Sequence, residues 1–322
     1  MRHDSPVASH RSLRDAIARL ESASVPSALL AAELLLMHTL GCDRAWLYAH
    51  PEQDLDAATR EKYFSLIAER ASGVPTQYLT GHQEFWALDF EVTPDVLIPR
   101  PETEHVIEVT LQRLGVEASG AALRRDLELR IADVGTGSGC IAIALANELP
   151  NAQFVATDIS ASAIEVARRN ALRNGVDARI DFVECHLLDA FLHESLSTNH
   201  PNSRQANHPS LQLWASEARP LDAVVSNPPY ISRREAATLA REVREHEPET
   251  ALFGGETGTE MYAPLIAQAA MLLKPGGIVV LELGHNSVEH VLRLLEAAEW
   301  GDAVFTNDLA GIKRVASARR NS

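Results

Sequence analysis

The 322-residue sequence predicts an α/β protein: a doubly wound, mostly parallel sheet, preceded by a small N-terminal helical bundle and a β-hairpin connector. Three observations carry that prediction. From Arg130 onward, short apolar runs rich in β-branched residues alternate with helical patterns, the signature of a parallel sheet covered on both faces. Residues 12–72 carry helical apolar spacing. Between them, Glu84-Phe-Trp-Ala-Leu-Asp-Phe-Glu-Val92 is aromatic-rich and alternates imperfectly, as a hairpin does.

Each element follows from local chemistry. Residues 1–10 read as a loose terminus. Leu13, Ala16, Ile17 and Leu20 follow the i, i+3, i+4, i+7 spacing of one helix face. A second helix is expected to open at Pro26, a good first-turn residue, and to stop at Gly41. A third covers 44–49. A fourth runs from Asp56 to Ala71 and is closed by Gly73 and Pro75. After the hairpin, Pro99 and Pro101 punctuate the chain, and a helix runs through Leu114. Strands are expected at 131–134, 153–158, 179–184, 222–226 and 278–283, with a terminal antiparallel pair at 303–306 and 314–316. His193–Pro220, rich in Ser, Asn, His, Pro and Gln, reads as a long flexible insertion. The expected domains are 1–76 (helical, substrate-docking), 77–98 (connector) and 99–322 (catalytic).

Composition narrows the function. Twenty-nine Lys and Arg against 44 Asp and Glu give a net charge of −15, a poor match for sequence-independent grip on nucleic acid. The three cysteines, Cys42, Cys140 and Cys185, are far apart and form no CxxC, so neither a disulfide framework nor a structural zinc site is expected. The opening MRHDSPVASH has no apolar core, and the apolar run 28–37 is broken by Glu33. Neither a secretion signal nor a membrane span is expected, and a cytoplasmic protein is.

Two turns carry the chemistry. Asp133-Val-Gly135-Thr136-Gly137-Ser138-Gly139 follows the first strand and opens a helix at Cys140. Glycines let the backbone turn sharply and approach a ligand, and helix N-terminal amides face what binds there. The next strand ends at Asp158, where an acid can accept both ribose hydroxyls of a nucleoside. The spacing is GxGxG rather than GxGxxG, and on this basis NAD and S-adenosylmethionine both remain open. The second turn is Asn227-Pro228-Pro229-Tyr230, directly after the fourth strand. Two prolines remove two N–H donors, so the turn is rich in carbonyl acceptors. Asn227 adds a side-chain acceptor, and Tyr230 supplies a flat face and a hydroxyl. Such a set suits a planar –NH2 group: two acceptors take its hydrogens while a ring stacks on its plane.

Read together, GTGSG, Asp158 and NPPY resemble a class I S-adenosylmethionine-dependent methyltransferase acting on a planar nitrogen. More narrowly, the chain resembles the peptide chain release factor N5-glutamine methyltransferases (PrmC/HemK). The supporting blocks are PTQYLTG (75–81), Glu84-Phe-Trp, IPRPETE (98–104), NPPYI (227–231), EPETAL (247–252) and DLAG (308–311) with Arg314, so that the resemblance covers residues 12–318. It implies a seven-stranded sheet, S-adenosylmethionine as cofactor, and as substrate the glutamine of a Gly-Gly-Gln loop on class I release factors. It also implies roles. Gly135, Thr136, Gly137, Ser138, Gly139 and Asp158 hold the cofactor. Leu187 stands where the family often has an aromatic beside the adenine. Asn227, which also contacts the cofactor, and Pro228 hold the glutamine amide, with Pro229 beside them, and Tyr230 lines the slot. A monomer is expected, with no metal and no direct nucleic-acid partner.

Other readings differ in class. A ribosomal-protein glutamine methyltransferase would use the same turn. A nucleic-acid amino-group methyltransferase would need a basic face and a target-recognition region, for which no sequence is spare. A non-catalytic S-adenosylmethionine-binding module would not need an intact NPPY. His193, His200 and His208 read as solvated loop rather than metal ligands. Phe85 and Trp86 read as hairpin packing, and Cys140 as a small packing residue. Arg100, Glu102 and Glu104 either border the active site or form a surface ion-pair cluster.

Overall fold

In the computed structural model, which describes residues 7–116, 128–192 and 220–322, the N-terminal helical spacing becomes four helices. They are α1 (Ser9–Ser22), α2 (Ala28–Leu40), α3 (Arg44–Ala49) and α4 (Ala57–Ala71). Leu20, Leu35, Leu36, Tyr63 and Ile67 form their shared core with no exposed surface. The Asp43 carboxylate accepts from the Trp46 amide at 2.7 Å and the Asp56 carboxylate from the Thr59 amide at 2.7 Å, so α3 and α4 start on side-chain caps. Gly41, at φ 65°, ends α2 in the left-handed conformation that glycine adopts at least cost.

Three local expectations change. Residues 7–10 are not loose: β1 (Val7–Ala8) pairs with β2 (Asp54–Leu55), and α1 begins at Ser9. The second helix begins at Ala28 rather than Pro26, because Ser27 sits at φ 51°. PTQYLTG contains a helix, α5 (Thr76–Thr80), that periodicity did not reveal in so short a run.

The described chain divides into two compact units. One holds the residues up to His82 together with 239–247, and the other holds 83–238 and 248–322. The hairpin thus belongs with the sheet, and a short returning segment belongs with the N-terminal helices. In the first unit the Arg70 guanidinium, 5% exposed, donates to Glu242 at 2.5 Å.

In the second unit, β3 (His82–Phe85) and β4 (Leu88–Glu91) form the hairpin around Trp86 and Ala87, both at positive φ. Trp86 packs as expected: its amide donates to Glu104 at 2.9 Å and its indole N–H to Glu148 at 3.0 Å. A 3₁₀ turn (Pro101–Thr103) leads into α6 (Glu104–Leu114). Then come β5 (Arg130–Val134), α7 (Cys140–Glu148), β6 (Gln153–Asp158), α8 (Ala161–Arg173), β7 (Ile180–Glu184) and α9 (Asp189–Leu192). β8 (Leu221–Ser226) is followed by α10 (Arg241–His246), the returning segment of the first unit, and then by α11 (Glu249–Leu252). The chain closes with α12 (Tyr262–Leu272), β9 (Leu273–Glu282), α13 (Val288–Leu295), β10 (Trp300–Asn307) and β11 (Lys313–Arg320). β9 starts earlier than the sequence predicts and carries a register shift against β8 between Leu221 and Ala223. The expected insertion lies, apart from Pro220, outside the described residues.

Seven strands form one sheet in the order β10-β11-β9-β8-β5-β6-β7. β11 pairs antiparallel with both its neighbours, and the other pairs are parallel. Every residue of β8 is buried, as expected of a strand covered on both faces. Ala223 and Val225 pack with Ile107, Ile141 and Ile143 on one side, while Val224 packs with Tyr262, Leu265 and Val291 on the other. Strand order reverses at β5, so the ends of β5 and β8 meet where open α/β sheets bind ligands.

Asn170 on α8 ties three elements together. Fully buried, it accepts from the Glu91 amide at 2.7 Å and donates to the carbonyls of Glu91 and Ser138, both at 2.9 Å. Asn170→Ala removes all three bonds, including the buried one to the Ser138 carbonyl. It should lower stability by about 2–3 kcal/mol in urea titration and speed hydrogen exchange at the Glu91 amide. An unchanged midpoint with normal protection at Glu91 would remove this tie from the fold.

Candidate active site

Parallel pairing lines up the ends of three strands. Val134 pairs with Thr157 on one side and Ser226 on the other. The glycine-rich turn, Asp158 and Asn227 therefore leave the sheet at one level. They border a cavity of about 330 Å³, in the range of small-molecule sites. Gly135, Thr136, Gly137, Ser138, Asp158, Leu187, Asn227, Pro228 and Pro229 all line it. Two predicted residues do not. Gly139 caps α7 at φ 85°, where an added Cβ would stand 2.8 Å from Ile143 and 3.2 Å from Ala167. Its role is close helix packing. Tyr230 lies with its ring on the Gly284 backbone and donates its hydroxyl to Glu282 at 3.2 Å, so it braces the turn from behind.

The glycine-rich turn is held from inside. The Gly135 and Thr136 amides both donate to the Thr157 carbonyl at 2.8 Å, the Gly139 amide donates to the Thr136 carbonyl at 2.8 Å, and the Gly137 amide to the Asp158 carboxylate at 2.9 Å. Beneath, fully buried Asp133 accepts from the Thr136 hydroxyl at 2.6 Å and the Ala142 amide at 3.1 Å. Burial lifts the Asp133 carboxyl to about 7 despite those bonds. At least these four turn amides are occupied within the protein, and of the helix N-terminal amides expected to face the ligand, that of Ala142 is turned to Asp133 instead. The glycines serve shape instead. At Gly135 and Gly137, with φ 72° and 55°, an added Cβ would meet no neighbour within 4 Å and would project into open space.

That arrangement favours an adenosyl sulfonium over a pyrophosphate. A pyrophosphate requires free N–H donors at the turn, and an acidic side chain bonded to Gly137 repels it. An adenosyl sulfonium is cationic and needs shape and ribose acceptors. Each Asp158 oxygen accepts one amide, from Gly137 and from Ser160, both at 2.9 Å, and keeps capacity for a second bond. Opposite, Leu187 lines the cavity at φ 50°, in a segment held by a bond from the Leu188 amide to Gln268 at 2.8 Å. Ile159, 58% exposed, adds apolar surface that the sequence reading did not single out.

Asn227 is half-buried, and its Nδ2 donates to the Thr103 hydroxyl at 3.1 Å. Thr103 in turn donates to Glu282 at 2.6 Å. IPRPETE thus acts through its threonine, and its Arg100 lines the cavity. Burial lifts the Cys140 thiol to about 12, which leaves it a packing group rather than a nucleophile. Two glycines escaped the sequence reading. An added Cβ at Gly254 would lie 2.2 Å from the Pro229 carbonyl oxygen, and one at Gly258 would lie 2.4 Å from that of Tyr230. The Gly-Gly-Glu-Thr-Gly run at 254–258 was the available signal. Among the described residues, no three His, Cys, Asp or Glu side chains are placed to hold a metal ion, and no helix is long and apolar enough to cross a membrane.

Strand order, the paired turns and the acid at the end of β6 define a class I methyltransferase fold. The catalytic domain of hMettl16, solved with the MAT2A 3'UTR hairpin 6, shares that fold, with a TM-score of 0.52 at 17% identity over 80% of this chain and 81% of that one. Residues 12–81 match the PrmC N-terminal domain, and residues 120–206 match the methyltransferase small domain. The release factor glutamine methyltransferase of Koribacter versatilis is 40% identical over 95% of this chain and 96% of its own length. That of Nitratidesulfovibrio vulgaris is 39% identical over 96% and 94%. The chain belongs to the release factor glutamine methyltransferase family.

Gly254→Ala should displace the Asn227–Tyr230 turn, since the new Cβ would stand 2.2 Å from the Pro229 carbonyl oxygen. Methyl transfer is expected to fall at least about 100-fold, the scale of a 1 Å misplacement, while calorimetry still detects cofactor binding. Wild-type turnover would mean that the turn tolerates the shift.

Proposed function

We propose that this protein transfers a methyl group from S-adenosylmethionine to the side-chain amide nitrogen, N5, of the glutamine in the Gly-Gly-Gln motif of class I peptide chain release factors. The observation that carries the reading is the orientation of Asn227. Its donor end is held by Thr103 at 3.1 Å, which leaves its carbonyl oxygen as an acceptor at the cavity wall. Pro228 and Pro229 stand beside it with carbonyls and no amide N–H.

Bound against the glycine-rich turn, S-adenosylmethionine supplies an electrophilic methyl group on a sulfonium. Asp158 takes its ribose, while Gly135, Thr136, Gly137, Ser138 and Leu187 shape its slot. A carboxamide nitrogen is a poor nucleophile because its lone pair is delocalised. Asn227 and the Pro228 carbonyl therefore act by position and electrostatics: they accept the two N–H hydrogens, fix the plane of the amide and become better partners as positive charge grows on nitrogen. The surplus proton leaves after transfer, so no strong base is required. The N-terminal helices are the docking module for the protein substrate. On the same reading the enzyme is a cytoplasmic monomer that requires neither metal nor nucleic acid.

Mass spectrometry of a purified class I release factor, incubated with this protein and S-adenosylmethionine, should find one methyl group on the Gly-Gly-Gln glutamine. A factor left unmodified under conditions where cofactor binds would overturn the assignment. Asn227→Ala should nearly abolish transfer while cofactor affinity falls much less, and Asn227→Asp, which loses the donor end, should also be impaired. Near-normal single-turnover rates in the alanine variant would remove the turn from the mechanism. Asp158→Ala should weaken cofactor binding by about 10–150-fold, the equivalent of about 1.5–3 kcal/mol of charge-assisted bonding. Unchanged affinity by calorimetric titration would exclude the ribose role.

A further inference from the structure

Ser226 pairs with Leu281 on two adjacent parallel strands, and Asn227, just past the end of β8, and Glu282, the last residue of β9, follow that pair. Between them sits Thr103, brought in by the 3₁₀ turn before α6. The three side chains form one chain of bonds: Asn227 Nδ2 donates to Thr103 Oγ1 at 3.1 Å, and Thr103 Oγ1 donates to Glu282 Oε2 at 2.6 Å. Tyr230 donates to the other Glu282 oxygen at 3.2 Å. Thr103 is 2% exposed and Glu282 1%, so bulk water does not compete for these bonds.

We propose that Glu282 is a positioning residue that dictates, through Thr103, which end of the Asn227 amide faces the cavity. The inference rests on the reading that Asn227 receives the substrate amide, and it adds the device that orients it. A carboxylate only accepts. The Thr103 hydroxyl has one hydrogen, and Glu282 takes it. Thr103 then presents only lone pairs to Asn227, which must answer with its –NH2. The Asn227 carbonyl is left for the cavity. An amide turned the other way would set oxygen against oxygen. Glutamine at position 282 would lack this one-way character, since one of its ends donates.

The same logic makes the device reversible by one proton. Around Glu282 stand Thr103 and Glu102 from the 3₁₀ turn, Tyr230 from the NPPY turn, Cys140 at the start of α7 and Arg314 from β11, while the Tyr262 hydroxyl donates to its backbone carbonyl at 3.0 Å. Burial outweighs the bonds from Thr103 and Tyr230 and the attraction of Arg314, and it lifts the carboxyl to about 6. Once protonated, Glu282 can donate to Thr103. The Thr103 hydrogen then turns toward Asn227, and the amide reverses. The oriented state is present above the folded-state value and lost as pH falls through it.

The test reads Asn227 directly, without substrate. In the ¹⁵N-labelled full-length protein, the Asn227 side-chain amide signal is assigned by its absence in Asn227→Ala. It should titrate with a midpoint near pH 6, and Glu282→Gln should abolish that titration. No titration between about pH 5 and 8, or the same midpoint in Glu282→Gln, overturns the proposal. Single-turnover methylation gives the second readout. Thr103→Val should slow transfer on the order of 100-fold, with cofactor affinity within about twofold, and Thr103→Ser should restore most of the lost rate. A folded Thr103→Val protein with a wild-type rate also overturns the proposal. Should that variant fail to fold, the Asn227 titration in wild type and Glu282→Gln still decides. A wild-type protein that titrates as expected but methylates no release factor would refute the proposed function and leave the positioning role intact.

Discussion

Pairing of Val134 with Thr157 on one side and with Ser226 on the other sets the geometry on which the cavity depends. Parallel strands cannot slip by one residue without turning every buried side chain to the other face. Here both faces are buried, so a slip would strand Ala223 and Val225 against the wrong helices. The hydrophobic packing of the sheet thereby fixes the relative height of three loops that share no local sequence signal. The Ser226 hydroxyl adds a direct lock, donating to the Val134 carbonyl at 2.6 Å.

The polar groups below the cavity serve orientation rather than stability. Glu282 shows this through linkage. Its folded-state pKa of about 6 lies above the ordinary 4.5. Its favourable contribution is present below the ordinary value and lost as pH rises through the folded value. At neutral pH the ionised form thus supports folding less than the protonated form does, even with Thr103 and Tyr230 bonded to it. Asp133, lifted to about 7 by burial, follows the same sign. Both stand directly behind the two turns that line the cavity, where buried charge organises hydrogen bonds that an apolar side chain could not.

Much of this was legible in sequence because it is local. The alternation from Arg130 onward reported the sheet, Asp56 marked the start of the fourth helix, and NPPY announced a turn poor in donors. What stayed hidden depends on contacts remote along the chain. Thr103 and Glu282 are 179 residues apart, and Asn170 and Glu91 are 79 apart. Neither pair carries a spacing signal, because each bond exists only once the sheet has formed. Tyr230 was read by its chemistry, as a ring for stacking. In place, that ring packs on the bare backbone of Gly284, a contact no motif encodes. Short elements such as β1 and α5 were missed because a few residues cannot display a period.

The glycine-rich turn shows how similar motifs diverge physically. In a dinucleotide fold the turn's free amides meet a diphosphate. Here the Thr157 carbonyl takes the Gly135 and Thr136 amides, and Asp158 takes that of Gly137. The turn keeps its tight curvature and open wall but loses much of its pull on anions. The acid that closes it also faces the cavity, so one side chain both occupies an N–H and presents negative charge to the ligand. Selectivity for a cationic nucleoside thus arises where the turn's own hydrogen bonds are satisfied. The same economy recurs at Asn227, whose Nδ2 donates to Thr103 while its carbonyl oxygen stays an acceptor. At both the glycine-rich turn and Asn227, donors are occupied within the protein and an acceptor oxygen faces the cavity.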